Sequence, residues 1–159
     1  MSNKPTEKKI VARNRVAHHE YFIDETFEAG IELSGTEVRS LRDRGCQITE
    51  AFCLIRKEEC WLHGCHIHPY SHGNRFNVDP DRKRRLLLHK KEIRYIDRKL
   101  LTKGVALIPL EMYFDKNNRV KLLLGLGRGK KLYDKRQDMA ERDMKREMDR
   151  ALKAKNMRY

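Results

Sequence analysis

The sequence predicts a mainly β fold, a small antiparallel β-barrel with flanking short helices and a basic C-terminal tail. Alternating apolar and polar residues mark about six short strands within roughly 110 residues. Residues 1–127 contain 35 Leu, Ile, Val and Phe, whereas residues 128–159 contain two. The tail therefore has too few apolar side chains to offset the entropy cost of ordering it. We expect a flexible segment at 1–12, a barrel at 13–127 and a tail at 128–159.

The strands of the first half are predicted from period-two alternation. Tyr21–Asp24 and Thr26–Leu33 both alternate, and Glu28 falls on the polar face of the second. Ala51–Arg56 and Cys60–His68 follow the same pattern and are separated by a polar turn. These segments supply four strands of the expected barrel.

Two short helices are predicted from capping and periodicity. Ser34 and Glu37 have the spacing of a capping box, in which each side chain bonds the backbone N–H of the other residue. The helix that they begin is expected to end at Gly45. His89–Lys103 has apolar residues on one side only, which is typical of a helix packed on a core.

A hairpin closes the predicted barrel. Val105–Phe114 and Val120–Leu126 are strand-like, and Asp115–Arg119 between them has turn composition. Pro109 has no N–H to donate, so it predicts an edge position or a bulge. Tyr70–Arg85 has no regular pattern and is predicted to be a long basic loop.

Composition narrows the functional class. The formal charge is +13 and the isoelectric point is near 9.8, so a polyanionic partner is expected, and nucleic acid is the commonest one. The longest apolar run, Val105–Leu110, is far too short to span a bilayer, and the polar N-terminus does not resemble a secretory signal. We expect a cytoplasmic protein with reduced cysteines and no membrane association.

Catalytic and metal-binding motifs are weak. Gly125–Gly129 is rich in glycine but lacks the pattern of a phosphate-binding loop, and His18-His19-Glu20 has no identifiable partner. Cys60–His72 is rich in Cys and His, yet alternation along a strand would scatter these side chains rather than converge them on one ion. No enzymatic activity, metal or cofactor is expected.

Basic clusters interleaved with aromatic residues are the stronger signal. They fit a surface that follows phosphates and stacks on exposed bases, although each cluster alone is typical of a solvated face. The clusters are Arg13-Asn14-Arg15, Arg82–Arg85, Lys90-Lys91 and Lys130-Lys131. In the tail, apolar residues recur every four positions at Ala140, Met144, Met148 and Leu152, which predicts a helix that is marginal without a partner.

The ordered set of sequence segments resembles the SsrA-binding protein family, also called small protein B, of bacterial trans-translation. The matching segments are Ala12–Asn14, His19–Ile23, Phe27–Gly30, Gly35–Arg42, Asp79-Pro80, Arg85–Leu88 and Gly129–Arg136. They are colinear and cover nearly the whole chain from residue 10.

The resemblance implies a barrel of the oligonucleotide-binding (OB) type that binds the tRNA-like domain of transfer-messenger RNA. The complex would enter stalled ribosomes, where the tail would occupy the empty mRNA channel and the decoding centre of the small subunit. Ribosome rescue and tagging of the nascent chain would follow. The free protein is expected to be a monomer. The alternative function is that of a general single-strand RNA-binding OB-fold protein without a ribosomal role.

The resemblance also implies site residues. The RNA-binding set would comprise Asn14, Glu28 and Leu87, with Arg13, Arg15, Arg84, Arg85 and Lys90 as phosphate contacts. The ribosome-binding tail set would comprise Gly129, Lys130, Lys131, Tyr133, Asp134, Lys135 and Arg136. Without the resemblance, Glu28 would be interpreted as a surface carboxylate and Leu87 as a core leucine.

Overall fold

The computed structural model describes residues 8–71, 77–130 and 144–153. It contains nine strands and four helices in that part of the chain. The strands are β1 Lys9–Arg13, β2 Tyr21–Ile31, β3 Cys46–Gln47, β4 Phe52–Arg56, β5 Glu59–His63, β6 His66–Ile67, β7 Arg84–Leu87, β8 Val105–Phe114 and β9 Val120–Gly129. The helices are α1 Ala17–Glu20, α2 Gly35–Arg44, α3 Lys90–Leu100 and α4, residues 144–153.

Six antiparallel strands form a closed ring. Their order is β8-β4-β5-β7-β2-β9, and β9 pairs back onto β8. β1 is added to the free edge of β8, and β3 and β6 form a separate two-stranded sheet. The predicted mainly β class and the antiparallel barrel are confirmed.

The core lies inside the ring because alternate residues of each strand point inward. Phe27, Ala29 and Ile31 of β2 face it, opposite the even-numbered residues of β9. A second, smaller apolar cluster lies on the outside, where Ala17 of α1 packs on Ile108 and Leu110 of β8. α1 therefore covers one outer patch of the barrel.

Most predicted elements are found with small shifts. The capping box of Ser34 and Glu37 begins α2, and Gly45, at φ +70°, ends it. The hairpin turn at Asp115–Arg119 is present, and β8 has a bulge between Pro109 and Glu111. Pro109 thus stands beside a bulge, as its missing N–H predicts.

Three boundaries differ from the sequence-based prediction. β1 begins at Lys9, inside the segment predicted to be flexible, because Lys9–Arg13 can pair with the exposed edge of β8. β9 continues to Gly129, beyond residue 127, because Arg128 and Gly129 still pair with Phe22 and Tyr21. The segment predicted as one strand at Cys60–His68 is two short strands, separated by Gly64 at φ +74°.

The prediction that Arg84 contacts RNA is wrong. Arg84 opens β7 rather than lying in a loop, and the alternation of that strand turns its side chain inward, where it is fully buried. Its guanidinium donates to Glu37 Oε2 at 2.7 Å, to the Cys65 carbonyl at 2.7 Å and to the Pro80 carbonyl at 2.9 Å. Of the four basic residues in the cluster Arg82–Arg85, Arg84 is therefore a cation inside the fold and not at its surface.

Glu37 holds this cation in place. Its carboxylate is 4% exposed and also accepts hydrogen bonds from Arg82 and from the Ser34 backbone N–H. Burial by itself would raise the pKa of Glu37, but the bonds from Arg82, Ser34 and Arg84 outweigh it and hold the pKa below its ordinary value of 4.5. One carboxylate thus joins the start of α2 to β7 and to the loop before it.

Asn14 secures the end of β1. It is 8% exposed, its Nδ2 donates to the Pro109 carbonyl at 3.1 Å, and its backbone N–H donates to the Leu110 carbonyl at 2.8 Å. Both acceptors belong to the bulge of β8, where the regular ladder is interrupted. Asn14 therefore satisfies backbone groups that the bulge leaves without a strand partner.

We predict that Glu37→Gln lowers the free energy of unfolding by about 3–5 kcal/mol, because it leaves the buried Arg84 charge without its counter-ion. Since the pKa of Glu37 is lowered by folding, its contribution is present above pH 4.5 and is lost as the pH falls through the folded pKa. Urea titrations at several pH values should show the gap between wild type and variant narrowing in acid. Glu32→Gln, at an exposed pair with Arg85, is the control and should cost under about 1 kcal/mol. Equal losses for the two variants would contradict the assignment.

We predict that Asn14→Ala lowers the free energy of unfolding by about 1–3 kcal/mol, because the Pro109 carbonyl is then buried without a donor. Arg15→Ala, an exposed substitution one residue away, should stay within about 0.5 kcal/mol of wild type. Urea denaturation followed by circular dichroism measures both. An Asn14→Ala protein as stable as the Arg15→Ala protein would show that the bond to Pro109 contributes nothing.

Candidate nucleic-acid interface

Closure of the barrel places Glu28 and Leu87 on one outer surface, here called the Glu28 face. Strand register brings together two rows of outward side chains across β1, β8, β9, β2 and β7. The first row is Arg13, Glu111, Leu123 and Glu28, and the second is Ile10, Tyr113, Lys121, Gly30 and Leu87. Leu87 is 48% exposed, so it belongs to this surface and not to the core.

Tyr113 holds the carboxylate of Glu28. The Tyr113 hydroxyl donates to Glu28 Oε2, although the two residues are 85 positions apart in the chain. Burial of the ring, followed by the neighbouring Glu28 charge, raises the pKa of Tyr113, so its hydroxyl keeps the proton and remains a donor at neutral pH. Glu28 is therefore a positioned acceptor for hydrogen bonds from base edges or ribose hydroxyls.

A shallow cavity lies beside Glu28. Gly30, two residues on, pairs with Leu87 on one side and Lys121 on the other. A Cβ at Gly30 would stand only 3.3 Å from Leu87 Cβ, so the leucine side chain lies directly against the glycine. A cavity of about 320 Å³ beside this contact has apolar walls and a rim that includes Arg119 and Lys121. Its size and charge suit one nucleotide with its phosphate.

Four of the predicted phosphate contacts are at the surface. Arg13 and Arg15 are exposed at the end of β1, and Arg13 lies 3.9 Å from Glu111. Arg85 is half-exposed between Glu32 and Glu59, and Lys90 is exposed in the first turn of α3. These positions allow RNA contact, and the contacts themselves remain predictions.

Asn14 differs from the other predicted RNA-binding residues because its side chain is nearly buried. Its Oδ1 has no hydrogen-bond partner among the described residues, while its Nδ2 is used by Pro109. Three strand spacings of about 4.8 Å separate the end of β1 from β2, which gives about 14 Å between the Asn14 and Glu28 sides of the face. The structure brings Glu28 and Leu87 together, with Asn14 apart from them.

The tail begins at a fixed position. Gly129 pairs with Tyr21 and donates its N–H to the Gly104 carbonyl at 2.9 Å. The Lys130 ammonium donates to the His18 carbonyl at 2.6 Å and lies 5.0 Å from the centre of the Phe22 ring. The remaining predicted tail residues lie outside the described residues: Lys131, Tyr133, Asp134, Lys135 and Arg136.

Residues 144–153 of the tail are helical, with apolar side chains on one side. In α4, Met144 is 63% exposed, Met148 is 66% exposed and Leu152 is 59% exposed. Three residues of the predicted stripe, Met144, Met148 and Leu152, are thus exposed to solvent, and Ala140 lies outside the described residues. An exposed stripe of this kind has apolar area available for a partner.

The Cys/His-rich segment is divided between the inside and outside of the fold. Cys60 and Cys65 are buried in the core, whereas His66 is at the surface with its Nδ1 2.7 Å from Asp81. Among residues 8–71, 77–130 and 144–153, no three His, Cys, Asp or Glu side chains are grouped to hold a metal ion. No helix in the same ranges has the length and hydrophobicity to cross a membrane.

Sequence reasoning missed the residues that support Glu28. Tyr113 and Leu123 lie in predicted strands, but their contact with Glu28 depends on a register between distant segments. The polar residue Glu111, two positions before Tyr113, indicates that Tyr113 points away from the core, and that signal alone does not identify its partner.

Comparison with known proteins agrees with this geometry. The family model described as SmpB protein matches residues 11–154. The SsrA-binding protein of Geobacter sulfurreducens is 52% identical over 149 residues, which cover 94% of this chain and 97% of that protein. The SsrA-binding protein of Acetivibrio thermocellus is 52% identical over 147 residues, which cover 92% and 95%.

A solved structure has the same fold. It is described as "tmRNA-SmpB: a journey to the center of the bacterial ribosome", is 49% identical in sequence, and superposes with a TM-score of 0.63 over 74% of this chain and 82% of that one. The family model and the relatives span nearly the whole chain at about half identity. The chain therefore belongs to the SmpB family of SsrA-binding proteins.

Proposed function

We propose that this protein binds the tRNA-like domain of transfer-messenger RNA and delivers it to stalled ribosomes for trans-translation. The barrel captures the RNA, and the C-terminal tail occupies the empty mRNA channel and decoding centre of the small subunit. Family membership supports the proposal, because the relatives are named for binding SsrA and the description of the similar structure names tmRNA, SmpB and the bacterial ribosome.

The observation that carries the proposal is the placement of two surfaces at opposite ends of β9. Leu123 lies in the row of Glu28, and Gly129 is where the tail begins, six residues further on. At about 3.3 Å per residue in a strand, the two lie about 20 Å apart. Such a protein can hold a folded RNA on one side while its tail reaches another partner.

The proposed function is binding of RNA, and it includes no catalytic step. The Glu28 face offers a positioned acceptor, an apolar cavity and cationic rims, which together are means of recognising RNA. We propose that Asn14, Glu28 and Leu87, with Arg13, Arg15, Arg85 and Lys90, form or border the RNA-binding surface. A cytoplasmic location and a monomeric free state belong to the same proposal.

The second candidate is a general single-strand RNA-binding barrel with no ribosomal role. The exposed apolar stripe of α4 favours the ribosomal function, because a simple RNA-binding protein gains nothing from a conditional helix outside its barrel. The tail also contains twelve Lys and Arg and six Asp and Glu, so it is suited to ordering on a polyanionic partner.

We predict that truncation after Gly129 keeps most of the affinity for the tRNA-like domain and abolishes tagging. β9 ends at Gly129, so the barrel loses no strand residue. The measurements are an RNA-binding titration and a reconstituted tagging reaction on stalled ribosomes, each with the full-length protein as reference. Normal tagging by the truncated protein would overturn the role of the tail and favour the general RNA-binding alternative.

We predict that Glu28→Arg weakens binding of the tRNA-like domain about 10-fold to 100-fold, because it removes an ionised acceptor worth about 1.5–3 kcal/mol. Asp97→Arg is the matched control, since it makes the same charge change at an exposed position on α3. Bulk electrostatics would make both variants bind RNA more tightly. Tighter binding by both would show that Glu28 has no specific role.

A further inference from the structure

The outer face of β4 and β5 carries a set of apolar and aromatic side chains, here called the Trp61 face: Phe52, Leu54, Trp61 and His63. They form two cross-strand pairs, in which Phe52 is opposite His63 and Leu54 is opposite Trp61. The Phe52 and His63 rings stack with their centres 5.2 Å apart and their planes 11° from parallel. This surface is separate from Glu28, because β7 lies between β5 and β2.

These side chains are not part of the barrel core. The residues that alternate with them, Cys53, Cys60 and Leu62, point inward and are buried. Phe52 and Leu54 are each 44% exposed, so no element among the described residues covers this face. A contiguous aromatic and aliphatic patch on an outer barrel face indicates a binding surface.

Cations surround the aromatic residues. Trp61 and His63 border a cavity of about 290 Å³ whose other walls include Arg56, Lys57 and Lys83. The acidic residue of the cavity, Glu59, is 3.7 Å from the Arg85 guanidinium, which offsets its charge. Glu58 lies in the adjoining turn and Glu32 also pairs with Arg85, so the four cations Arg56, Lys57, Lys83 and Arg85 face three carboxylates. The rim keeps a small net positive charge.

His63 contributes a neutral aromatic ring to this face and adds no positive charge. Its partial burial, and then the nearby charges of Lys83 and Arg56, lower the pKa of His63 below its ordinary value of 6.5. The imidazole is therefore neutral at pH 7 and stacks on Phe52 without adding charge.

We propose that the Trp61 face binds unpaired nucleobases of single-stranded RNA. One base stacks on the aromatic side chains, and its flanking phosphates lie against Lys83 and Arg56. Aromatic platforms inside a positive rim match both parts of a nucleotide, the flat apolar base and the anionic backbone. A duplex does not fit this surface, because its bases are already stacked on one another. The inference extends the proposed function, since it adds a single-strand contact to the capture of a folded RNA.

Trp61 is the single tryptophan of the chain, so its fluorescence reports on this surface alone. The full-length protein is titrated with a six-nucleotide adenosine RNA, with a six-base-pair RNA duplex and with heparin. The proposal predicts saturable quenching by the single strand and little quenching by the other two. Heparin matches the charge but has no base, and the duplex hides its bases.

Two variants and a control locate the effect. Phe52→Ala should weaken the affinity for the single strand about 10-fold, since loss of one stacking side chain has an effect of this order. Phe52→Tyr should restore binding, because it keeps the ring. Leu101→Ala is the control, because Leu101 is also apolar and is 85% exposed but lies after α3, away from β4 and β5.

Loss of quenching in Phe52→Ala with recovery in Phe52→Tyr would establish the site. Three results would overturn the proposal: no quenching by the single strand, equal quenching by heparin, or wild-type affinity of Phe52→Ala for the single strand. Any of them would favour a protein surface as the partner of this face. The affinity for the tRNA-like domain is measured on the same samples. If that affinity is intact while Trp61 is not quenched, the inference fails and the proposed function stands.

Discussion

Closure of the ring at β8 is the constraint on which the rest of the fold depends. One edge of β8 pairs with β9 along its whole length, whereas the other edge is shared, with Leu107 opposite Cys53 of β4 and residues from Glu111 onward opposite β1. The bulge after Pro109 falls where the second edge changes partner. Asn14 completes this change by bonding to the Pro109 carbonyl.

Once the ring is closed, every strand has an inside and an outside, and chain neighbours are sent to opposite sides. β7 shows this most clearly, because Arg84 and Leu86 point into the core while Arg85 and Leu87 point to solvent. A buried ion pair adds little net stability compared with an apolar pair of the same size. The effect of Glu37 on Arg84 is geometric, since it fixes β7 against the start of α2 and so sets the position of Leu87 beside Gly30.

The same closure distributes the surfaces available to partners. The Glu28 face lies at one end of β9, the tail begins at the other end, and the Trp61 face lies on β4 and β5. α1 covers an apolar patch of β8, and its His18 carbonyl accepts a hydrogen bond from the Lys130 ammonium at the start of the tail. The barrel is thus a rigid support that keeps the Glu28 face and the start of the tail apart, as the proposed function requires.

Features that depend on near neighbours in the chain can be predicted from the amino-acid sequence alone. Alternation identified the long strands, Ser34 and Glu37 identified the start of α2, and the shortage of apolar residues identified the tail. Family segments identified Glu28 and Leu87 as candidates. Tertiary structure decided which side of the barrel each residue occupies, because that depends on register between segments far apart. It turned Arg84 from a surface cation into a buried one, joined Tyr113 to Glu28 across 85 residues, and brought Phe52 beside His63. The physical reason is that local propensity fixes the period of a strand, whereas its phase relative to the core is fixed when the ring closes.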